Sequence, residues 1–146
     1  MSALNTDSTR WETLVDLLEY RAESQPDSVV FEFLTDVDGT SQHITYGELA
    51  RHARSIATSL RQKKLSIGDR AVIIYPPGLE LISAYFGCLY AGIIAVPVYP
   101  PLNSKLVQKL QHIILDAKPS IILSTQNIIK KIRWLKWLKK LKIFLC

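Results

Sequence analysis

Residues 71–101 read AVIIYPPGLELISAYFGCLYAGIIAVPVYPP, and this stretch decides the fold. It opens on a run of apolar, largely β-branched residues, Ala71-Val72-Ile73-Ile74-Tyr75, short enough to be a strand buried on both faces. Pro76-Pro77-Gly78 permits neither strand nor helix to continue and marks a sharp turn. Residues 79–91 then favour helix. Glu80 stands in its first turn, where a negative charge suits the helix dipole, and Gly92 is placed to end it. Only Glu80 and Ser83 are polar there, so cover on most sides is predicted. Residues 93–99 form a second apolar strand, closed by Pro100-Pro101. Two hydrophobic strands joined through a helix are a βαβ crossover, with both strands parallel and buried.

Working outward, residues 11–18 place Trp11, Leu14, Leu17 and Leu18 at helical spacing. Thr9 and Glu12 before them have the form of a capping box, and the helix is expected to stop before Pro26. Residues 29–34, VVFEFL, read as a strand, Asp38-Gly39 as a turn, and residues 42–45 as a returning strand, which makes a hairpin. Thr45 and Glu48 form a second capping box. The helix after it carries Leu49, Ala50, Ala53, Ile56, Ala57 and Leu60 on one stripe, with Arg51, Arg54 and Arg61 off it. Beyond residue 101, Asn103 or Ser104 can cap a helix whose Leu106, Leu110, Ile113, Ile114 and Ala117 share a face. Pro119 ends that helix, and residues 121–123 make a third strand. Alternation of this kind predicts an α/β fold: a βαβαβ parallel sheet with flanking helices, preceded by a helix and a β-hairpin.

Composition narrows the classes. At 146 residues, 48% hydrophobic and 21% charged, the chain has a core and is not a disordered tail. Cys88 falls inside an apolar helix and Cys146 at the last position, which gives no bridge framework and no metal spacing and points to a reduced, cytoplasmic setting. The start, MSALNTDSTRWE, lacks a signal-peptide pattern, and no apolar run is long enough for a membrane span. The net charge of +5 is unevenly distributed. Residues 1–117 carry a balance of −3, and the last acid is Asp116, after which come 8 basic residues.

An α/β unit raises the question of nucleotide binding. The 6 glycines, at positions 39, 47, 68, 78, 87 and 92, never cluster, and neither a G-x-G-x-x-G nor a phosphate loop ending in Lys-Ser/Thr is present. Gly87 and Gly92 are better explained by close packing of their helix. His43, His52 and His112 lie on a strand and two polar helix faces, none at metal-ligand spacing, and read as solvated surface. Asp36 and Asp38 flank the hairpin tip, where Asp forms turns. Ser83 and Cys88 belong to the apolar helix with no base in view to activate either. No catalytic, cofactor-binding or metal-binding residue is assigned to this chain.

Two stretches carry a resemblance. Residues 44–49, ITYGEL, resemble the first core motif of the adenylate-forming superfamily of acyl- and aryl-AMP ligases, and residues 89–100, LYAGIIAVPVYP, resemble its second. The wording of residues 75–101 is most similar to that of the fatty acyl-AMP ligases, and the likeness runs from about residue 13 to 127. It implies an N-terminal fragment of such an enzyme, one that couples a fatty acid to AMP from ATP, with magnesium, and passes the acyl group to an acyl carrier protein. In that family the Ser/Thr/Gly-rich ATP loop, the ribose-binding Asp, the hinge and the catalytic lysine all lie further along. Residues 1–127 are therefore expected to be the opening part of an AMP-dependent synthetase domain, inactive alone, whose partner is the missing downstream part of the same enzyme.

Residues 128–146 form a basic tail, IIKKIRWLKWLKKLKIFLC. A basic amphipathic helix on an anionic membrane is the sharp reading, making the chain a non-enzymatic surface module. On a helical wheel, however, the lysines fall nearly all round and leave no wide apolar face. A linker helix that packs on further sequence, or an aberrant end, is the reading preferred, and nucleic-acid binding ranks below both. Strands apolar on both faces need cover on both, and some of the covering elements are expected to belong to the missing downstream part. The isolated chain is accordingly expected to bind a hydrophobic dye and to self-associate, and a sharply melting monomer blind to the dye would contradict this.

Overall fold

The computed structural model describes residues 11–34, 41–132 and 142–145. Its elements run α1 (Leu14–Ser24), β1 (Val29–Leu34), β2 (Ser41–Thr45), α2 (Tyr46–Gln62), β3 (Arg70–Ile74), α3 (Leu79–Ala91), β4 (Ile94–Val98), α4 (Ser104–Ala117), β5 (Ile121–Ser124), α5 (Gln126–Ile132) and β6 (Lys142–Leu145). β1 and β2 form an antiparallel hairpin, and the other four strands form one sheet in the order β4-β3-β5-β6. Every pairing in that sheet is parallel, with Val72 opposite Val96 on one side and Ile122 on the other.

Three layers follow from the alternation of β3. Ala71, Ile73 and Tyr75 point to one face, where Ile121 and Leu123 join them under Ala57 and Leu60 of α2 and Ala84 and Cys88 of α3. Val72 and Ile74 point to the other, with Ile122 under Leu110 and Ile114 of α4 and Ile128 and Ile132 of α5. A third cluster joins Leu18 of α1 to Ile44, Leu49 and Ala50, and so fixes α1 and the hairpin to the first helix layer. Arg54 of α2 adds a two-pronged bond to Glu19 of α1, at 2.8 and 3.1 Å, but on an exposed surface such a pair contributes only about 0.2–1 kcal/mol.

The predicted βαβαβ order holds, with corrections at particular elements. Thr9 lies outside the described residues, and α1 starts at Leu14 under a different capping box, Thr13 with Asp16. Trp11 therefore precedes the helix, and its ring packs on Tyr20 with centroids 4.2 Å apart. Leu14 is 54% exposed, so the buried stripe of α1 is narrower than its spacing suggests. The turn at Asp38-Gly39 also lies outside the described residues. β3 and β5 are buried as expected, but β4 is not: it forms one edge of the sheet and Ile94 is 50% exposed. Pro97 suits such a place, because a strand lacking one N–H is tolerated at an edge. The tail contributes to the same fold. α5 spans residue 127, and residues 142–145 pair with β5.

Two glycines have firm reasons. Gly92 ends α3 in the left-handed region, at φ 72°, where a side chain is strained. Gly87 sits where α2 and α3 meet, and a Cβ there would come within 2.5 Å of Ile56 Cγ2. That approach is too close for any methyl, so Gly87→Ala is expected to lower stability in urea by about 1–3 kcal/mol, the usual cost of overpacking. Ile56 Cβ would stand 2.6 Å from the same point, so Ile56→Ala leaves the overlap in place, whereas Ile56→Gly in the same chain should make the two losses less than additive, and additive losses would contradict the contact.

Candidate functional site

In parallel α/β sheets ligands bind beyond the carboxyl ends of the strands, so that end is the first place to look. β3 runs out into Tyr75-Pro76-Pro77-Gly78 and β4 into Tyr99-Pro100-Pro101. Between them lies a cavity of about 230 Å³ lined by Tyr75, Pro77, Leu81, Pro97, Val98 and Tyr99. Its lining is aromatic and aliphatic, without a basic group, and prolines offer no N–H.

The N-terminus of α3 opens beside this cavity, and helix N-termini are where phosphates are usually held. Here the place is taken. Gly78 caps α3 without a side-chain bond, and the Glu80 carboxylate folds back over it, its Oε2 3.2 Å from where a Gly78 Cβ would stand. A carboxylate already at the dipole's positive end repels a second anion. Ser124, at the carboxyl end of β5, is buried and donates its hydroxyl proton to the Ile74 carbonyl at 2.7 Å, tying β5 to β3. This cavity and the start of α3 thus hold no cation for a nucleotide's triphosphate to pair with, and no chemical step is assigned to them.

A larger groove, about 410 Å³, lies between β2, α2 and α3. Its floor holds Ile44, Ile56 and Leu79, and its rim His43, Glu48, His52 and Glu80, with the buried Ser83 below. Sequence spacing kept these apart; the packing of α2 on α3 brings His43, His52 and Ser83 to one groove. Glu48 is not a spare acid there. Its carboxylate accepts the Thr45 backbone N–H at 3.0 Å, and its own N–H donates to the Thr45 hydroxyl at 3.2 Å. The bonds from Thr45, then the charges of Arg51 and His43, hold the Glu48 carboxyl below the ordinary glutamate range.

His112 is exposed on α4, on the far side of the sheet from His43 and His52, and Cys88 is buried in the first helix layer. Asp36 and Asp38 lie outside the described residues. Among the described residues no three His, Cys, Asp or Glu side chains stand close enough to hold a metal ion. Tyr90, where α1, α2 and α3 meet, has its phenol pushed up by burial and then by the Glu19 carboxylate beside it, which suits a structural role. Glu80 at the start of α3 was readable from the sequence, as a carboxylate two residues after Pro-Pro-Gly; the groove shared by His43, His52 and Ser83 was not, because spacing carries no signal for it.

A three-layer α/β half-sheet with the ITYGEL helix start and the LYAGIIAVPVYP strand is the opening architecture of one class of enzyme. Over residues 18–143 the sequence matches the AMP-binding enzyme family, and the chain belongs to it. It is 37% identical to the medium-chain-fatty-acid–[acyl-carrier-protein] ligase JamA of Moorena producens over 91% of this chain and 25% of that protein. It is 34% identical to the long-chain-fatty-acid–AMP ligase FadD23 of Mycobacterium tuberculosis over 80% of this chain and 20% of that one. Among solved structures, the fatty acyl-adenylate ligase of L. pneumophila, in complex with acyl adenylate and pyrophosphate, superposes with a TM-score of 0.86 at 38% identity, covering 98% of this chain and 25% of that chain. The chain therefore spans about a quarter, or less, of the length of these relatives.

The capping box gives a test with a definite sign. A carboxylate whose native pKa is depressed adds stability above its unfolded value and loses it as pH falls through the native one. Glu48→Gln is expected to be less stable than the parent chain above the ordinary value of 4.5, with the difference closing as pH drops below it. A difference that widens toward acid pH would contradict the assignment, and thermal melts at stepped pH measure it.

Proposed function

We propose that this chain is the N-terminal portion of a fatty acyl-AMP ligase, an enzyme that activates a fatty acid with ATP and magnesium and hands the acyl group to an acyl carrier protein. The observation that carries the reading is the continuous likeness, in sequence and in fold, to ligases whose names specify fatty acids. The acceptor is the finer part of the proposal and rests on JamA, whose name specifies a carrier protein.

Activation joins a carboxylate oxygen to the α-phosphorus of ATP and expels pyrophosphate. Such a transfer depends on positioned charge around the phosphates. The carboxyl end of this sheet is proline-rich and carries Glu80 over the α3 terminus, so those groups must come from elsewhere. In our reading they belong to the three quarters of the relatives' length that this chain does not match. Residues 11–132 contribute scaffold: the central strands, their two helix layers and the hairpin. No helix among the described residues is long and apolar enough to cross a membrane, and a cytoplasmic setting is part of the same proposal.

Two assays test it. The 146-residue chain, given ATP, magnesium and fatty acids of several lengths, is expected to release no pyrophosphate and form no acyl-AMP. A chimera in which it replaces the matching quarter of the L. pneumophila ligase is expected to form acyl-AMP. Acyl-AMP from the chain alone, above a control without fatty acid, would mean that a nucleotide site exists within it. A folded but inactive chimera would overturn the proposed membership in this reaction.

A further inference from the structure

We propose that the face formed by α4 and α5, with the turn at residues 99–102 beside it, binds the surface of an anionic lipid membrane. The inference stands apart from the proposed activity and rests on what packing leaves outside. Leu110 and Ile114 of α4, and Ile128 and Ile132 of α5, turn inward onto Val72, Ile74 and Ile122. That orientation leaves Lys105, Lys109, Lys130 and Lys131 exposed. Lys131 shares a cleft of about 630 Å³ with Asn103, Ser104 and Gln108, so the end of α5 adjoins the start of α4 and their lysines lie on one side of the molecule. None of the four takes part in an ion pair among the described residues. The only acid between residues 104 and 132 is Asp116.

Charge alone would suit any polyanion. The apolar residues beside it narrow the choice. Tyr99, Leu102 and Leu115 are 75%, 78% and 62% exposed. Leu102 immediately precedes the cap of α4, and Leu115 lies on that helix's outward side, seven residues on from Gln108. A duplex nucleic acid would take the lysines on its phosphates and leave the two leucines in water. A bilayer interface takes both kinds, phosphates against the lysines and the tyrosine and leucines at headgroup depth. On the opposite helix layer acids and bases are mixed, Asp16 and Glu23 of α1 with Arg51, Arg54 and Arg61 of α2, so the α4–α5 face is the more basic of the two.

Flotation in a density gradient separates vesicle-bound chain from any aggregate, which sinks. With vesicles of phosphatidylcholine and phosphatidylglycerol at about 7:3, the chain is expected to float at low salt and to be released as salt rises. Vesicles of phosphatidylcholine alone should carry little of it. Lys105, Lys109, Lys130 and Lys131 all changed to Gln should reduce partitioning by about a hundredfold or more. A control with Arg51, Lys63 and Lys64 changed to Gln, on the other side of the sheet, should leave it within about twofold of the parent. Tyr99→Ser with Leu102→Ser and Leu115→Ser should weaken binding with its salt dependence retained. Failure to float with anionic vesicles, equal flotation with neutral ones, or an equal loss in the control would each overturn the proposal. So would tighter binding to a single-stranded oligonucleotide through the same four lysines, which would assign the face to nucleic acid.

Discussion

β3 has no side that can face water. Its edges are hydrogen-bonded to β4 and β5, and its residues 71–74 are buried on both faces. A strand so enclosed requires two layers of cover, and the chain supplies them in alternation, α2 and α3 on one face and α4 and α5 on the other. Buried backbone must also be paired at the strand ends. At the amino end, Ser120 donates its hydroxyl to the Asp69 carboxylate at 3.0 Å and Ile94 donates its N–H to the Asp69 carbonyl at 2.8 Å. The Arg70 carbonyl meanwhile accepts the Ser120 N–H at 2.8 Å. One residue thus ties the approaches to β3, β4 and β5 together.

The same constraint explains why the carboxyl end is poor in chemistry. A strand pair ending in Tyr-Pro-Pro or Tyr-Pro-Pro-Gly leaves the sheet quickly, and prolines bring rigid turns without donors. Glu80 then neutralises the end of α3 from within the chain. In this member of the AMP-binding enzyme family the ends of β3 and β4 are thus made of rigid turns around an apolar cavity. The edge strand β4, half-exposed along its length, shows how far the enclosure extends: β3 and β5 are shielded on all sides while β4 is shielded on one edge.

Elements with a strong local code were legible in the sequence to the residue. α3 begins and ends where Pro-Pro-Gly and Gly92 predict, and α2 follows its Thr45–Glu48 box. Both depend on contacts within a few residues, which sequence spacing reports directly. α1 was misplaced at its start because two consecutive boxes, Thr9 with Glu12 and Thr13 with Asp16, satisfy the same local rule. The one observed at Thr13 leaves Trp11 outside the helix to pack on Tyr20.

What sequence by itself determined here was the alternation of strand and helix, the caps and breaks between them, and membership in a family through two short motifs. Tertiary structure decided the rest, because it depends on which residues distant in sequence meet. It placed β3, the first strand of the sheet in chain order, inside rather than at an edge, and β4, equally apolar, at the rim. It brought His43 and His52 to one groove through the packing of α2 on α3. Lys130 and Lys131, from a tail whose helical wheel shows no wide apolar face, are placed by α5 in the same layer as Lys105 and Lys109 of α4, since a surface belongs to the packed layer and not to one segment.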